Sequence, residues 1–186
     1  MENNYRCGWC EKDDLYRDYH DKEWGQPVHD DRIMFEFLLL ETFQAGLSWY
    51  TILSKRENFR SAFDNFDFER ISRYSESKIQ TLLQDSGIIR NQQKIRAAVS
   101  NAQAYRKVRE EFGSFCSYFW SFTNGEPIDN TPQTLADIPT SSALSDLISK
   151  DLKKRGFTFV GSTVVYAHMQ ATGMVNDHVA GCWKRK

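Results

Sequence analysis

DDRIMFEFLLLETFQAG, residues 30–46, decides the fold class. Asp30 is an N-cap type of residue, and Ile33, Phe37 and Leu40 recur behind it at helical spacing beside Met34 and Leu38. Gly46 ends the run. Outward from this helix the same reading repeats. Ser48 opens a second helix with Trp49, Ile52, Leu53 and Phe63 on one stripe. Ser75 caps a short one holding Ile79, Leu82 and Leu83, stopped at Gly87, and Asn91 opens a longer one through Ile95, Val99, Ala102 and Tyr105. Ser114 precedes the aromatic segment FCSYFWSF. Residues 124–139 hold three of the four prolines and read as a loop. Ser141 or Ser142 starts a helix with Leu144, Leu147, Ile148 and Leu152, closed by Gly156. A last helix runs from Thr163 to Thr172 and stops at Gly173, and Phe157–Val160 is the only strand-like piece. The expectation is an all-α fold forming one domain over residues 1–186.

Composition narrows the function classes. The chain has 186 residues, 40% of them hydrophobic and 14% aromatic, enough to bury a sizeable core. No run approaches the roughly 18 apolar residues of a membrane helix, and MENNYRCGWCEKDD lacks the features of a secretory leader. The expectation is a cytoplasmic protein, in which four cysteines suit thiols or metal ligands better than disulfides. A formal charge of -1 and an isoelectric point near 6.4 argue against a sequence-independent DNA coater. Basic clusters at Lys153–Arg155 and Lys184–Lys186 leave room for a segregated basic face.

Three groups of residues carry possible chemistry. Cys7, Cys10 and His20 stand near one end, and His178 and Cys182, spaced H-x3-C, near the other. Two thiolates and two imidazoles would close the coordination of a tetrahedral zinc. Spacing does not choose between Cys7 and Cys10, and the C-x2-C pair lacks the βαβ setting of a redox dithiol. His168, inside VVYAHMQA, reads as a core histidine, and His29 as a loop residue. The second group centres on Glu41, an acid on an apolar helical stripe near Trp9, Trp24, Trp49, Tyr16 and Tyr19. A carboxylate among aromatic rings suits a cationic heteroaromatic ligand, through stacking and cation–π attraction. The third is LLQDSGIIRNQQKI, residues 82–95, a helix–turn–helix whose turn amides could hold a phosphate.

Several stretches are familiar together. RCGW, YHDKEWG, FEFLLLETFQAGLSWYTILSKRENFRSAF, DSGIIRN, KKRGFTFVGSTVVYAHMQATGMVNDH and the closing H-x3-C resemble, in order and spacing, the bacterial 3-methyladenine DNA glycosylase I family. The likeness runs from about Cys7 to Cys182. It implies a helix-hairpin-helix glycosylase fold, a monomer acting on double-stranded alkylated DNA and releasing free 3-methyladenine. It also implies one structural zinc per chain, held by Cys7, His20, His178 and Cys182 and stapling the two ends. Cys7 is chosen because it lies in the C-G-W block, and Cys10 departs from the family pattern. The base pocket maps onto Glu41, the catalytic carboxylate, with Tyr19 as a second hydrogen-bonding group, Trp49 as a stacking wall and Trp9 nearby. Leu47 of the QAGL turn stands where the family pushes into the duplex, and the turn from Gly87 to Arg90 would hold the DNA backbone. No aspartate occurs between Asp85 and Asp129, where relatives acting on neutral bases place one. A cationic base needs no prior protonation to leave, so the gap is tolerable. Two rivals remain: a zinc hydrolase with three ligands and Glu23 as base, and a non-catalytic helix-hairpin-helix DNA binder.

Overall fold

The computed structural model describes residues 5–185. Met1–Asn4, on which part of the leader reading falls, and Lys186, the last residue of the basic end, lie outside them. In chain order the helices are α1 (Asp14–Lys22), α2 (Asp31–Gln44), α3 (Trp49–Leu53), α4 (Arg56–Ala62), α5 (Phe68–Ile71), α6 (Glu76–Gln84), α7 (Gln92–Phe112), α8 (Phe115–Ser121), α9 (Ala143–Lys154) and α10 (Ser162–Ala171). Two two-residue strands, β1 (Ile128–Asp129) and β2 (Val175–Asn176), pair in parallel.

Helix α2 organises the rest. Asp30 caps it, its carboxylate accepting from the N–H groups of Arg32 and Ile33. Every residue from Met34 to Phe43 is buried, so α2 is wrapped on all sides instead of presenting one apolar stripe. Ile33, expected on that stripe, is 43% exposed. Buried Glu36 is tolerated because Arg56 and Arg60 both donate to its Oε1.

Both ends of α2 are tied down. Asp31 accepts from the backbone N–H groups of Phe115 and Cys116 and from Arg109 Nε. Its carboxylate thereby satisfies the free amides at the start of α8. At the other end Lys94 Nζ donates to the carbonyls of Phe43 (2.8 Å) and Ala45 (2.5 Å). The ammonium answers the negative end of the helix dipole and fixes the turn into residues 46–48.

Elsewhere several sequence expectations are corrected. The stripe from Trp49 to Phe63 is two helices, because Ser54 Oγ bonds the Thr51 carbonyl and the chain kinks at Lys55. Phe63 ends α4. Phe157–Val160 is not a strand: Asn101 takes the place of a strand partner, accepting from Thr158 N–H and donating to Thr158 O. The true strand pair lies elsewhere, tying residues 128–129 of the proline-containing loop to the segment before His178. Helix α1 has no aliphatic stripe to announce it. Asp13 caps it, and what it buries is Tyr19 and His20. Gly173 (φ 70°) lets two segments cross, since a Cβ there would stand 2.3 Å from the Gln26 carbonyl carbon.

Candidate functional site

A cavity of about 420 Å³ opens between α1, the C-terminal end of α2, α3, α10 and the loop around Ile138–Thr140. That volume lies within the ~300–1,000 Å³ typical of small-molecule sites. Trp9, Tyr19, Glu41 and Trp49, singled out in the sequence, all line it. The Trp9 ring meets Tyr16 edge-on at 4.9 Å and Trp24 at 5.0 Å, and Tyr19 lies 5.3 Å from Trp49. The aromatic rings thus brace one another around the opening rather than filling it.

Glu41 is 3% exposed, and its Oε2 has no hydrogen-bond partner among the described residues. Burial pushes its carboxyl up to about 8. The expectation that this acid is buried among aromatics holds, and snorkelling to solvent is excluded by the wrapping of α2. Trp49 Nε1 is likewise buried without a partner among the described residues. The cavity therefore holds an unpaired acceptor and an unpaired donor, a cost offset only when a ligand answers them. Tyr19 is buried, and burial followed by the nearby Glu41 carboxyl pushes its phenol well above the usual range, keeping it a neutral donor.

Sequence reading missed the opposite wall. Thr163, Tyr166, Ala167 and Gln170 of α10 line the cavity. Their spacing of three, four and seven marks one helix face, a signal hidden because those side chains are mostly polar. Gln44, one turn after Glu41, was also missed.

Next to this cavity lies a second cluster. Cys7, His20, His178 and Cys182 are all buried, and their ligand atoms fall within 4.8 Å of one another, so the group could bind a metal ion. Cys182 Sγ lies 3.4 Å from His20 Nε2 and 3.5 Å from His178 Nδ1, and Cys7 Sγ lies 3.7 Å from His178 Nδ1. The remaining imidazole nitrogens are held from behind: His20 Nδ1 by Asp21 at 2.7 Å and His178 Nε2 by the Trp24 carbonyl at 3.3 Å. Asp21 is in turn gripped by Arg6. Gly25 (φ 74°) makes room for this, because a Cβ there would stand 2.9 Å from His178 Nε2. Burial pushes the Cys7 thiol up to about 12 and His178 down to about 4, so both are neutral. A cation would reverse the thiol's preference, since a coordinating thiol loses its proton.

Cys10 stands outside the cluster, its thiol donating to the Cys7 carbonyl at 3.0 Å. His168 is fully buried against Phe119, as its place in the sequence implied. Glu23, the base of the hydrolase alternative, is bound by Arg56 Nη1 at 2.8 and 2.7 Å and is not free to act.

The residues expected to meet DNA differ in exposure: Leu47 and Arg90 are exposed, and Gly87 is half-buried. Leu47 is 40% exposed beside Gly46 (φ 81°), between cavity residues Gln44 and Trp49. Gly87 sits in the α6–α7 turn, where Lys55 Nζ and Asn58 Nδ2 reach its carbonyl at 3.3 Å. Arg90 is exposed, without an ion pair among the described residues. Arg155, by contrast, is held by Asp151 and Glu111, so part of that basic cluster is neutralised. Among the described residues no helix is long and apolar enough to cross a membrane.

Residues 9–185 match the family described as Methyladenine glycosylase. The chain is 50% identical over 177 residues to DNA-3-methyladenine glycosylase 1 of Escherichia coli (strain K12), covering 95% of each. A crystal structure of 3-methyladenine DNA glycosylase I superimposes with a TM-score of 0.95 at 48% identity, over 98% of this chain and all of that one. A variant of 3-methyladenine DNA glycosylase I in complex with 3-methyladenine gives 0.92 at 36% identity, over 95% of both chains.

Proposed function

The chain belongs to the methyladenine glycosylase family, and from that premise we propose how its cavity works. As an enzyme it is a DNA-3-methyladenine glycosylase of base-excision repair, hydrolysing the N-glycosidic bond of the damaged base. The observation that carries the reading of the cavity is Glu41: a buried carboxyl whose Oε2 has no partner among the described residues, surrounded by rings.

3-Methyladenine in DNA is cationic, so breaking its bond to C1′ releases a neutral base without an acid catalyst. What the enzyme must supply is extraction of the base, which costs a few kcal/mol of unstacking, and a setting that favours the stretched bond. Trp49 and Trp9 are the stacking walls that offset the extraction. Glu41 attracts the cationic ring, and Tyr19 contributes a second hydrogen bond. Leu47 fills the gap left in the duplex, and the α6–α7 turn acts as a helix-hairpin-helix in which Gly87 and Arg90 meet the phosphate backbone. The enzyme works as a single-domain monomer of the cytoplasm on double-stranded DNA, cutting no strand. Incubating methylated duplex with the protein should release free 3-methyladenine while the strand stays intact until treated with alkali. Release of no base would overturn the activity, and direct strand scission would overturn its monofunctional character.

We assign the Cys7, His20, His178 and Cys182 group to one structural zinc. A tetrahedral zinc, with Zn–S about 2.3 Å and Zn–N about 2.0–2.1 Å, separates its sulfur and nitrogen ligands by about 3.5–3.6 Å. Three of the sulfur–nitrogen separations, 3.4, 3.5 and 3.7 Å, are close to that spacing, within a group that spans up to 4.8 Å. Four protein ligands leave no open position for a metal-bound water, so zinc here would staple the ends and supply no chemistry. Replacing Cys182 with serine should lower zinc content and melting temperature together, by roughly 2–4 °C per kcal/mol lost. The folded remainder should keep excising base. A metal-free variant of unchanged stability would sink the assignment.

A further inference from the structure

Behind the polar wall of the cavity lies a carboxylate that the mechanism above does not use. Asp177 is 1% exposed and takes three hydrogen bonds. Asn130 Nδ2 donates to its Oδ1 at 2.7 Å; Tyr166 OH at 2.8 Å and Gln170 Nε2 at 2.7 Å both donate to Oδ2. Tyr166 and Gln170 line the cavity, and Asn130 is brought alongside by the β1–β2 pairing, its N–H bonding the Asn176 carbonyl. One buried acid thus holds two pieces of cavity wall and the loop that carries a third.

The consequence falls on Gln170. A carboxamide can usually present either its oxygen or its nitrogen, and a neighbour that only accepts removes the choice. With Nε2 committed to Asp177, the carbonyl oxygen is the group left over, and it has no partner among the described residues. The cavity then offers two acceptors, this oxygen and Glu41 Oε2. A base edge carrying an exocyclic amine answers acceptors, whereas a carbonyl at the same place sets lone pair against lone pair. Sites built to pair a polar group discriminate strongly against ligands that leave it unpaired.

Resting on the glycosylase reading, we propose that Gln170 is a specificity-determining residue, locked by Asp177 with its oxygen toward the base. It favours N3-methylated adenine over N3-methylated guanine.

The test is single-turnover release of both bases from methylated duplex, by the wild type, Gln170→Leu, Asp177→Asn and the double variant, with zinc content and melting temperature measured alongside. Gln170→Leu should lower the adenine-to-guanine rate ratio about tenfold, one hydrogen bond's worth at tenfold per 1.4 kcal/mol. Asp177→Asn, which lets the amide turn over, should lower it less. In the double variant Asp177→Asn should add nothing to Gln170→Leu, because a residue acting only through another is not additive with it. An unchanged ratio in folded Gln170→Leu overturns the proposal, as does a multiplicative effect in the double variant. If Asp177→Asn loses its fold, the Gln170→Leu ratio decides alone, since that half-buried side chain lies outside the apolar core. A wild type that releases neither base would instead overturn the function itself.

Discussion

Replacing Glu41 with glutamine is expected to cut excision of 3-methyladenine by roughly ten- to a hundredfold while making the free protein more stable at alkaline pH. The first effect follows from a charge-assisted hydrogen bond, worth roughly 1.5–3 kcal/mol, that the amide cannot match. The second follows from burial. The Glu41 carboxyl is pushed from 4.5 up to about 8, with desolvation as the cause. An acid whose folded value is raised contributes stability that is fully present below its unfolded value, near pH 4.5. That contribution is lost as pH rises through about 8. The wild type should therefore lose melting temperature across this window, and Glu41→Gln, neutral throughout, should lose less.

The same titration shapes catalysis. A cationic base is attracted by the carboxylate and not by the carboxylic acid, so kcat/KM of the wild type should climb toward pH 8 and then level. In Glu41→Gln that limb should vanish. Binding of free 3-methyladenine, followed by calorimetry, should weaken about tenfold or more in the variant. Equal affinities, or parallel stability curves for the two proteins, would return Glu41 to a structural role.

Parts of this site were legible before any coordinates because their signals are local. A glutamate amid the apolar run of α2 is conspicuous wherever the helix packs, and Ser75 and Asn91 mark helix starts that the structure keeps, whereas Ser141 and Ser142 are equal candidates until the fold makes Ser142 the cap. The four metal-type ligands were legible as residue types. That Cys7 and not Cys10 joins them depends on a turn of 3₁₀-helix that aims the Cys10 thiol at the Cys7 carbonyl.

What escaped depends on distant partners. Helix α1 hides its purpose because it buries Tyr19 and His20, neither aliphatic. The apparent strand at Phe157–Val160 has strand-like residues but finds Asn101, 57 positions away, instead of a neighbouring strand. Buried Lys94 and Asp177 look like surface charges until their partners on α2, on α10 and at Asn130 are known. Polar residues placed by tertiary contact leave no periodic trace, and they make up most of the cavity wall that sequence reading missed.

Trp49→Ala separates wall from core at the place where both readings are open. The indole follows the residue 46–48 turn, opens α3, and stands 5.3 Å from Tyr19 in the cavity. It is half-buried and packs against the apolar core from outside, unlike Ile52 and Phe63, which are fully covered. Base stacking is worth on the order of 1–3 kcal/mol, so truncation should slow excision about ten- to a hundredfold. Binding to undamaged duplex should hardly change, because it rests on phosphate contacts. A core tryptophan would behave differently, costing roughly 3–5 kcal/mol of stability. Trp49→Phe refines the contrast, keeping a stacking face but removing the buried Nε1–H, which has no partner among the described residues. If that N–H serves the base, the phenylalanine variant should be slower than wild type yet no less stable, since no internal bond is lost. Melting temperature and single-turnover excision, measured on one preparation of each variant, read both quantities at once. A large stability loss with normal excision by the surviving folded fraction would remove Trp49 from the pocket.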